Sequence, residues 1–247
     1  MANIFKTSIG KKFIMSISGA FLIIFMLLHT TINLFSVFDS FRGAWGNPAN
    51  PTDGAPAGWF QMGCDFMALP FINVMVPVLA FGFLIHIIYG LILSITNFRA
   101  RGGFNRYAVD SKAKQDSFAA KNMIYLGLIV LGFIVLHLTH FWQDMQLQEW
   151  TGGDAEDPYV LLENTFSSIW MVLFYVLWFT VLYLHIGHGF WSAFQTLGWN
   201  NMTWLPRLKW IGRFVGAIIW LGLTAVAVSA FCHANGLFGL NSVLAAL

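Results

Sequence analysis

Apolar positions along this chain gather into five long runs, separated by short polar stretches rich in helix breakers. The runs fall near 13–38, 70–97, 122–142, 167–196 and 208–232, and each reaches the roughly 20 residues that an α-helix needs to cross a bilayer. Between the first two, Gly43–Gly63 holds three prolines and several glycines, and Gly152-Gly153-Asp154 precedes the fourth run. The pattern predicts an all-α integral membrane protein of five transmembrane helices, a single transmembrane domain over 1–247 with no repeat. Phe13–Phe38 is too long for the apolar core of a signal peptide and has no small-residue cleavage site, so it reads as an uncleaved first span.

Composition agrees, with 57% hydrophobic and 10% charged residues where a soluble domain carries about 25% charged. Charge placement adds an orientation. Lys6, Lys11 and Lys12 precede span one, Arg99, Arg101, Arg106, Lys112, Lys114 and Lys121 join spans two and three, and Arg207, Lys209 and Arg213 open span five. Of the 13 basic residues only Arg42 falls on the other face, together with every acid except Asp110 and Asp116. The positive-inside rule then expects the N-terminus inside and the C-terminus outside. A lipid membrane, not nucleic acid, is the expected setting of these charges.

The two cysteines, Cys64 and Cys232, form no C-x-x-C arrangement. That excludes a cysteine-ligated iron–sulfur cluster and covalently attached c-type haem, and the pair reads as free thiols in apolar surroundings. No dinucleotide fingerprint, P-loop or nucleophile elbow occurs, so the chain has no visible means of binding a flavin or oxidising a substrate alone.

The ionisable residues well inside the runs are histidines: His29, His86, His137, His140, His185 and His188. Such residues mark function by default. At a rise of ~1.5 Å per residue, His29 and His137 lie roughly 8–13 Å below the outer ends of their helices, while His86 and His185 lie roughly 24–27 Å down. Four helices thus supply two histidines at an outer level and two at an inner level. Two facing imidazoles at one level are what a bis-histidine haem requires. The first four spans are therefore expected to bundle around two stacked b-type haems, whose irons would be the metals of the protein. Ser16, Ser18, Gly19, Gly82, Gly90, Gly127, Gly132, Gly187 and Gly189 supply small residues nearby. His233, at the outer end of span five, is expected to be an exposed interfacial group.

In span one, Ser18-Gly19 followed by His29 resembles the S/T-G…H pattern of the dihaem cytochrome b membrane-anchor subunit of succinate:quinone oxidoreductases, which include succinate dehydrogenases and fumarate reductases. His86 followed by Asn97, Ala100-Arg101 and Tyr107 resembles that family's H…N-x-x-A-R…Y segment, and His137-Leu138, Leu184-His185 and Gly198-Trp199 resemble the remaining ligand segments. The resemblance covers essentially the whole chain. It implies His29 and His137 as ligands of a distal haem and His86 and His185 as ligands of a proximal haem, the same pairs that depth selects. It also implies a flavoprotein and an iron–sulfur subunit on the inner face, and a bacterial cytoplasmic membrane. Electrons would pass between the iron–sulfur subunit and a quinone, menaquinone on resemblance. The chain itself would be a non-catalytic electron-transfer subunit. His140 and His188, each one helical turn from a proposed ligand, depart from the pattern and stand as alternative ligands.

Propionate partners are expected among Arg99, Arg101, Lys209 and Arg213 inside and Arg42 outside. An outer quinone site has Asp65 as first candidate, with a helix N-cap as its other reading, and His140 as second. Trp45, Trp59 and Trp150 are expected in an interfacial belt. Three rival readings remain: the haem b anchor of another dehydrogenase or a hydrogenase, a proton-coupled transporter whose histidines relay protons, and a purely structural membrane scaffold.

Overall fold

The computed structural model describes residues 7–100 and 118–238. Lys6, Arg101, Arg106, Tyr107, Asp110, Lys112, Lys114 and Asp116 lie outside the described residues. The described chain is helical, without strands: α1 (Ser8–Arg42), α2 (Trp59–Met67), α3 (Pro70–Asn73), α4 (Met75–Ala100), α5 (Phe118–His137), a π segment (Leu138–Leu147), α6 (Gln148–Thr151), α7 (Pro158–Phe166), α8 (Ile169–Thr196) and α9 (Trp204–Ala234). Five stretches are long and apolar enough to cross a membrane: Ser8–Arg42, Pro70–Ala100, Met123–Thr151, Ile169–Thr196 and Trp204–Ala234. The protein is a multi-pass membrane protein by this measure. Most spans outrun their apolar runs because the helix continues into polar residues at its ends.

Local chemistry sets the boundaries. Pro70 takes the N1 position of α3, where its missing N–H costs nothing. Pro77 offers no N–H to the carbonyl four residues back, that of Asn73, which is where α3 stops; α4 begins at Met75, after the single residue Val74. Gly152 closes α6 in the left-handed region at φ 76°, a conformation that glycine adopts without steric cost. Asp157 caps α7 by accepting from Tyr159 N and Val160 N, with Pro158 at N1. Asn201 Oδ1 accepts from Thr203 N and Trp204 N at the start of α9.

The backbone divides into two compact units, each built from parts of the long helices. Unit one holds 1–26, 75–129 and 182–217. There α9 lies against α8, where a Cβ on Gly216 would come 3.0 Å from Tyr183 and one on Gly212 3.0 Å from Phe190. Unit two holds 27–74, 130–181 and 218–247. In it α9 lies against α1 through Gly222 beside Thr30 and Leu34 and the Ser40–Ser229 hydroxyl pair at 2.7 Å. Small residues permit this close approach, which is how membrane helices gain packing without a hydrophobic drive. Span five is accordingly the most buried, with 44% of its apolar window inside, against none for Pro70–Ala100. It packs on α1 and α8, two spans that carry intramembrane histidines.

Unit two is fastened by a carboxylate that sequence reading passed over. Asp39, in the last turn of α1, has no exposed surface. It accepts from Trp59 N at 3.0 Å and Phe60 N at 2.8 Å, capping α2 from another helix. It also accepts from Tyr159 Oη at 2.8 Å and Arg42 Nη1 at 3.1 Å. Burial, and then the Asp39 carboxylate that accepts its hydrogen bond and repels a phenolate charge, hold the Tyr159 phenol above the ordinary tyrosine range.

Candidate functional site

Each unit brings one pair of intramembrane histidines together. In unit two, His29 of α1 and His137 at the end of α5 have ring centres 5.8 Å apart, with planes at 89°. In unit one, His86 of α4 and His185 of α8 have ring centres 6.2 Å apart, with planes at 72°. Metal–imidazole bonds of about 2.0 Å, with about 1.2 Å from each nitrogen to its ring centre, place two trans imidazoles about 6 Å apart. Aromatic pairs settle at about 4.5–7 Å in any case, so spacing by itself does not separate a ligand pair from a packing pair.

Hydrogen bonding does more. Ser18 Oγ donates to the Met15 carbonyl at 3.1 Å and lies 3.3 Å from His86 Nδ1. A hydroxyl has one proton, so with it given to Met15 the Ser18 oxygen is left to accept from the ring. Nδ1 is then N–H, and Nε2 keeps the lone pair that a metal takes. Outer partners of this kind orient metal-binding histidines generally.

Glycines back both rings of this pair. A Cβ on Gly19 of α1 would lie 3.2 Å from His86 Cε1, and one on Gly127 of α5 3.5 Å from His185 Cε1. The two small residues let each imidazole lie against a neighbouring backbone. His185 Nδ1 and His188 Nδ1 are buried without a hydrogen-bond partner among the described residues, and a buried polar atom left so calls for an explanation. No family model, curated protein or solved structure matches this chain. The site is therefore read from its own chemistry.

Among the described residues no three His, Cys, Asp or Glu side chains gather as a metal site. A tetrahedral zinc site needs three or four protein donors, whereas a porphyrin brings four nitrogens of its own and asks the protein for two. Two-histidine pairs fit a haem and do not fit zinc.

The alternative histidines have other neighbours. His140 Nδ1 lies 2.7 Å from Tyr175 Oη, its ring stacked at 21° on the phenol. His188 meets the Trp191 ring edge-on at 4.8 Å. His137 lies between Phe133 at 5.8 Å and Phe141 at 5.1 Å.

A cleft of about 310 Å³ opens in unit two beside His140, lined by Thr139, Asp144, Leu161, Asn164, Thr165 and Met171. Asp65 lies elsewhere, exposed in the last turn of α2 and bonded to Gln61 Nε2 at 2.8 Å. It is not an N-cap, because Gly58 caps α2 and Leu69 caps α3.

Other expected residues are engaged in packing. Arg42 pairs with Asp39 and covers the Trp59 ring at 3.9 Å. Lys209 Nζ lies 4.9 Å over Trp191. Arg99 lies in the last turn of α4, and Arg213 in the first part of α9. His233 is not exposed: it stacks on Trp45 at 3.9 Å and on Phe238 at 4.4 Å, and meets Ser40 Oγ at 3.0 Å. Its place at the end of an apolar run hid these partners, which come from other elements. Trp45 in turn donates to Glu163 Oε1 at 2.6 Å, and Trp150 meets Trp142 edge-on at 5.9 Å. Both cysteines are free.

Proposed function

We propose that this chain is the dihaem cytochrome b membrane anchor of a succinate dehydrogenase or fumarate reductase complex, carrying electrons between an iron–sulfur subunit and membrane quinone. The observation that supports it best is the meeting of four histidines from four apolar spans as two facing pairs, His29 with His137 and His86 with His185. His29 and His137 are assigned to the distal haem, His86 and His185 to the proximal one. Haem b, when bound, supplies one-electron transfer.

The chain's own residues do the rest. The histidine pairs present neutral imidazoles at fixed spacing, and the Ser18–Met15 edge of α1 holds the His86 proton on Nδ1. Gly19 and Gly127 set the ring positions. The surrounding apolar helices exclude water. On the charge distribution, the basic ends of spans two, three and five face the cytoplasm of a bacterial cell and receive the iron–sulfur and flavoprotein subunits, while quinone reaches the chain from the lipid.

A pyridine haemochrome assay with a reduced-minus-oxidised spectrum on the purified chain or complex tests this reading. About two b-type haems per chain are expected, and single replacement of His29, His86, His137 or His185 should remove one and leave the other. Absence of haem in the wild-type protein would leave the transporter reading. Loss of both haems together, or of neither, across the four variants would break the pairing. Subunits that co-purify separate this complex from another dehydrogenase or a hydrogenase.

A further inference from the structure

We propose that the seam between the end of α8 and the start of α9 holds the phosphate head group of an anionic phospholipid, with Lys209 and Arg213 as its cationic contacts. Such a site is independent of the electron-transfer reading above.

The two helices touch backbone to backbone there. A Cβ on Gly212 would lie 3.1 Å from the Gly187 carbonyl oxygen and 3.0 Å from Phe190 Cβ. This contact sets Lys209 of α9 beside Trp191 of α8, with Nζ 4.9 Å from the ring centre. His188 meets the same ring edge-on at 4.8 Å and holds it in place. A cation gains from the face of an indole, but the ring carries no counter-charge, and Lys209 is half-buried. Arg213 lies exposed four residues on, one turn along the same face. Like charges at that spacing repel. The described residues of unit one include Lys and Arg side chains but no Asp or Glu to neutralise them. The ion pair of Arg42 with Asp39 belongs to unit two. The positive end of the α9 dipole, at Trp204, adds to the same field.

The counter-anion therefore comes from outside these residues, and depth selects its kind. Trp191 stands five residues before the end of α8 and Lys209 five after the start of α9, about 8 Å in from each end at the helical rise per residue. Trp199, Trp204 and Trp210 are exposed at this end, and exposed tryptophans collect at the level of lipid head groups. Trp210 and Phe214 stack at 5.3 Å, both exposed and each next in sequence to one of the two cations. They offer an apolar wall to an acyl chain whose phosphate lies between Lys209 and Arg213. Basic pockets between membrane helices take anionic head groups in this way.

The test is native mass spectrometry of the detergent-purified full chain or its complex, titrated with phosphatidylglycerol or with phosphatidylcholine of the same acyl chains. The first phosphatidylglycerol should bind more tightly by about fivefold for each of the two cations, roughly 25-fold together. Lys209→Gln should cut that preference about fivefold, and Lys209→Gln with Arg213→Gln should remove it. Lys209→Arg should keep it, which separates loss of the site from loss of the fold, and unfolding midpoints are read in parallel. Lys12→Gln takes an equal charge from an exposed position near the start of α1 and should change nothing. An equal loss in Lys12→Gln shows diffuse attraction to a basic surface and overturns the proposal, as does the absence of any preference in the unaltered protein. Haem content, read by absorbance on the same samples, separates the rival anion. Loss of haem from Lys209→Gln with the lipid preference intact gives Lys209 to a propionate and overturns the proposal. A chain without haem that keeps the preference refutes only the electron-transfer reading.

Discussion

Asp39→Ala is the substitution whose cost can be worked from contacts alone. The carboxylate receives four donors, two on each oxygen, which fills its acceptor capacity. Removing it leaves Phe60 N and Tyr159 Oη without their acceptor in buried surroundings. A buried donor left unpaired costs about 1–3 kcal/mol, so the pair amounts to about 2–6 kcal/mol. Arg42 and the Trp59 amide are nearer solvent and add little. At about 2–4 °C per kcal/mol for a chain of this size, the midpoint of thermal unfolding should fall by about 4–24 °C. Asp39→Asn keeps one carbonyl oxygen and turns an amide toward the other donors, so it should lose roughly half as much. The assay is thermal unfolding in detergent followed by circular dichroism, with amide exchange at Phe60 as the local readout. An Asp39→Ala change within about 0.5 kcal/mol, the range of ordinary surface substitutions, would refute the buried-fastener account, as would unchanged protection of Phe60.

Three further expectations follow from single contacts. Ser18→Ala removes a hydroxyl worth about 1 kcal/mol at His86 Nδ1, so haem transfer to apomyoglobin should accelerate about fivefold for one haem only, with Ser18→Thr restoring retention; equal effects on both haems would refute the tautomer assignment. Gly222→Ala places a methyl 2.6 Å from Thr30 Cγ2, on a side chain 2% exposed, and should cost about 1–3 kcal/mol; an unchanged unfolding midpoint would remove α9 from the α1 surface. Burial first, then the charges of Asp65, Asp157 and Glu149, push the Cys64 thiol up to about 12. A raised thiol pKa keeps the unreactive neutral form below that value. Alkylation of Cys64 by iodoacetamide should therefore still be climbing between pH 8 and 10, where free cysteine levels off; a plateau by pH 9 would contradict it.

The five spans were legible because each is a run of apolar residues longer than a soluble helix needs. The histidine levels were legible because rise per residue converts position into depth, and the structure places His29 by His137 and His86 by His185. Their orientation was not. It depends on Ser18, Gly19 and Gly127, which in the sequence are only small residues near a histidine. Asp39 escaped for another reason: its partners lie 20, 21 and 120 residues away, and on charge placement it counts as one more acid of the outer face. The π segment has no composition signal, since it arises from a change in hydrogen-bond register. Asp144 fell just beyond the apolar run ending near 142, while the helix continues through it. Span five, without a candidate ligand, gave no sign that it would be the most buried.

The distribution of burial bears on why the histidine-bearing spans keep their polar residues. α4 buries no residue fully and α5 only Leu126, whereas α9, free of candidate ligands, supplies Ile219, Leu223, Val226, Ala227 and Ala230 to the core. Side-chain packing between helices is thus concentrated on the span without a pair, and the histidines of spans two and three lie on helices that give few fully buried residues to the core. An imidazole retained there for packing alone would lose little by becoming Leu or Phe, and would gain by shedding a nitrogen such as His185 Nδ1 that the protein leaves unsatisfied. Histidine is the better residue only where that nitrogen chemistry is used. This is the physical ground for reading the two pairs as ligands, and it is tested separately from any spectrum. If the pairs serve only as packing, His185→Leu should raise the unfolding temperature of the apo chain and change nothing else; if they are ligands, the same variant should lose the stabilisation that added haem confers on the wild-type chain.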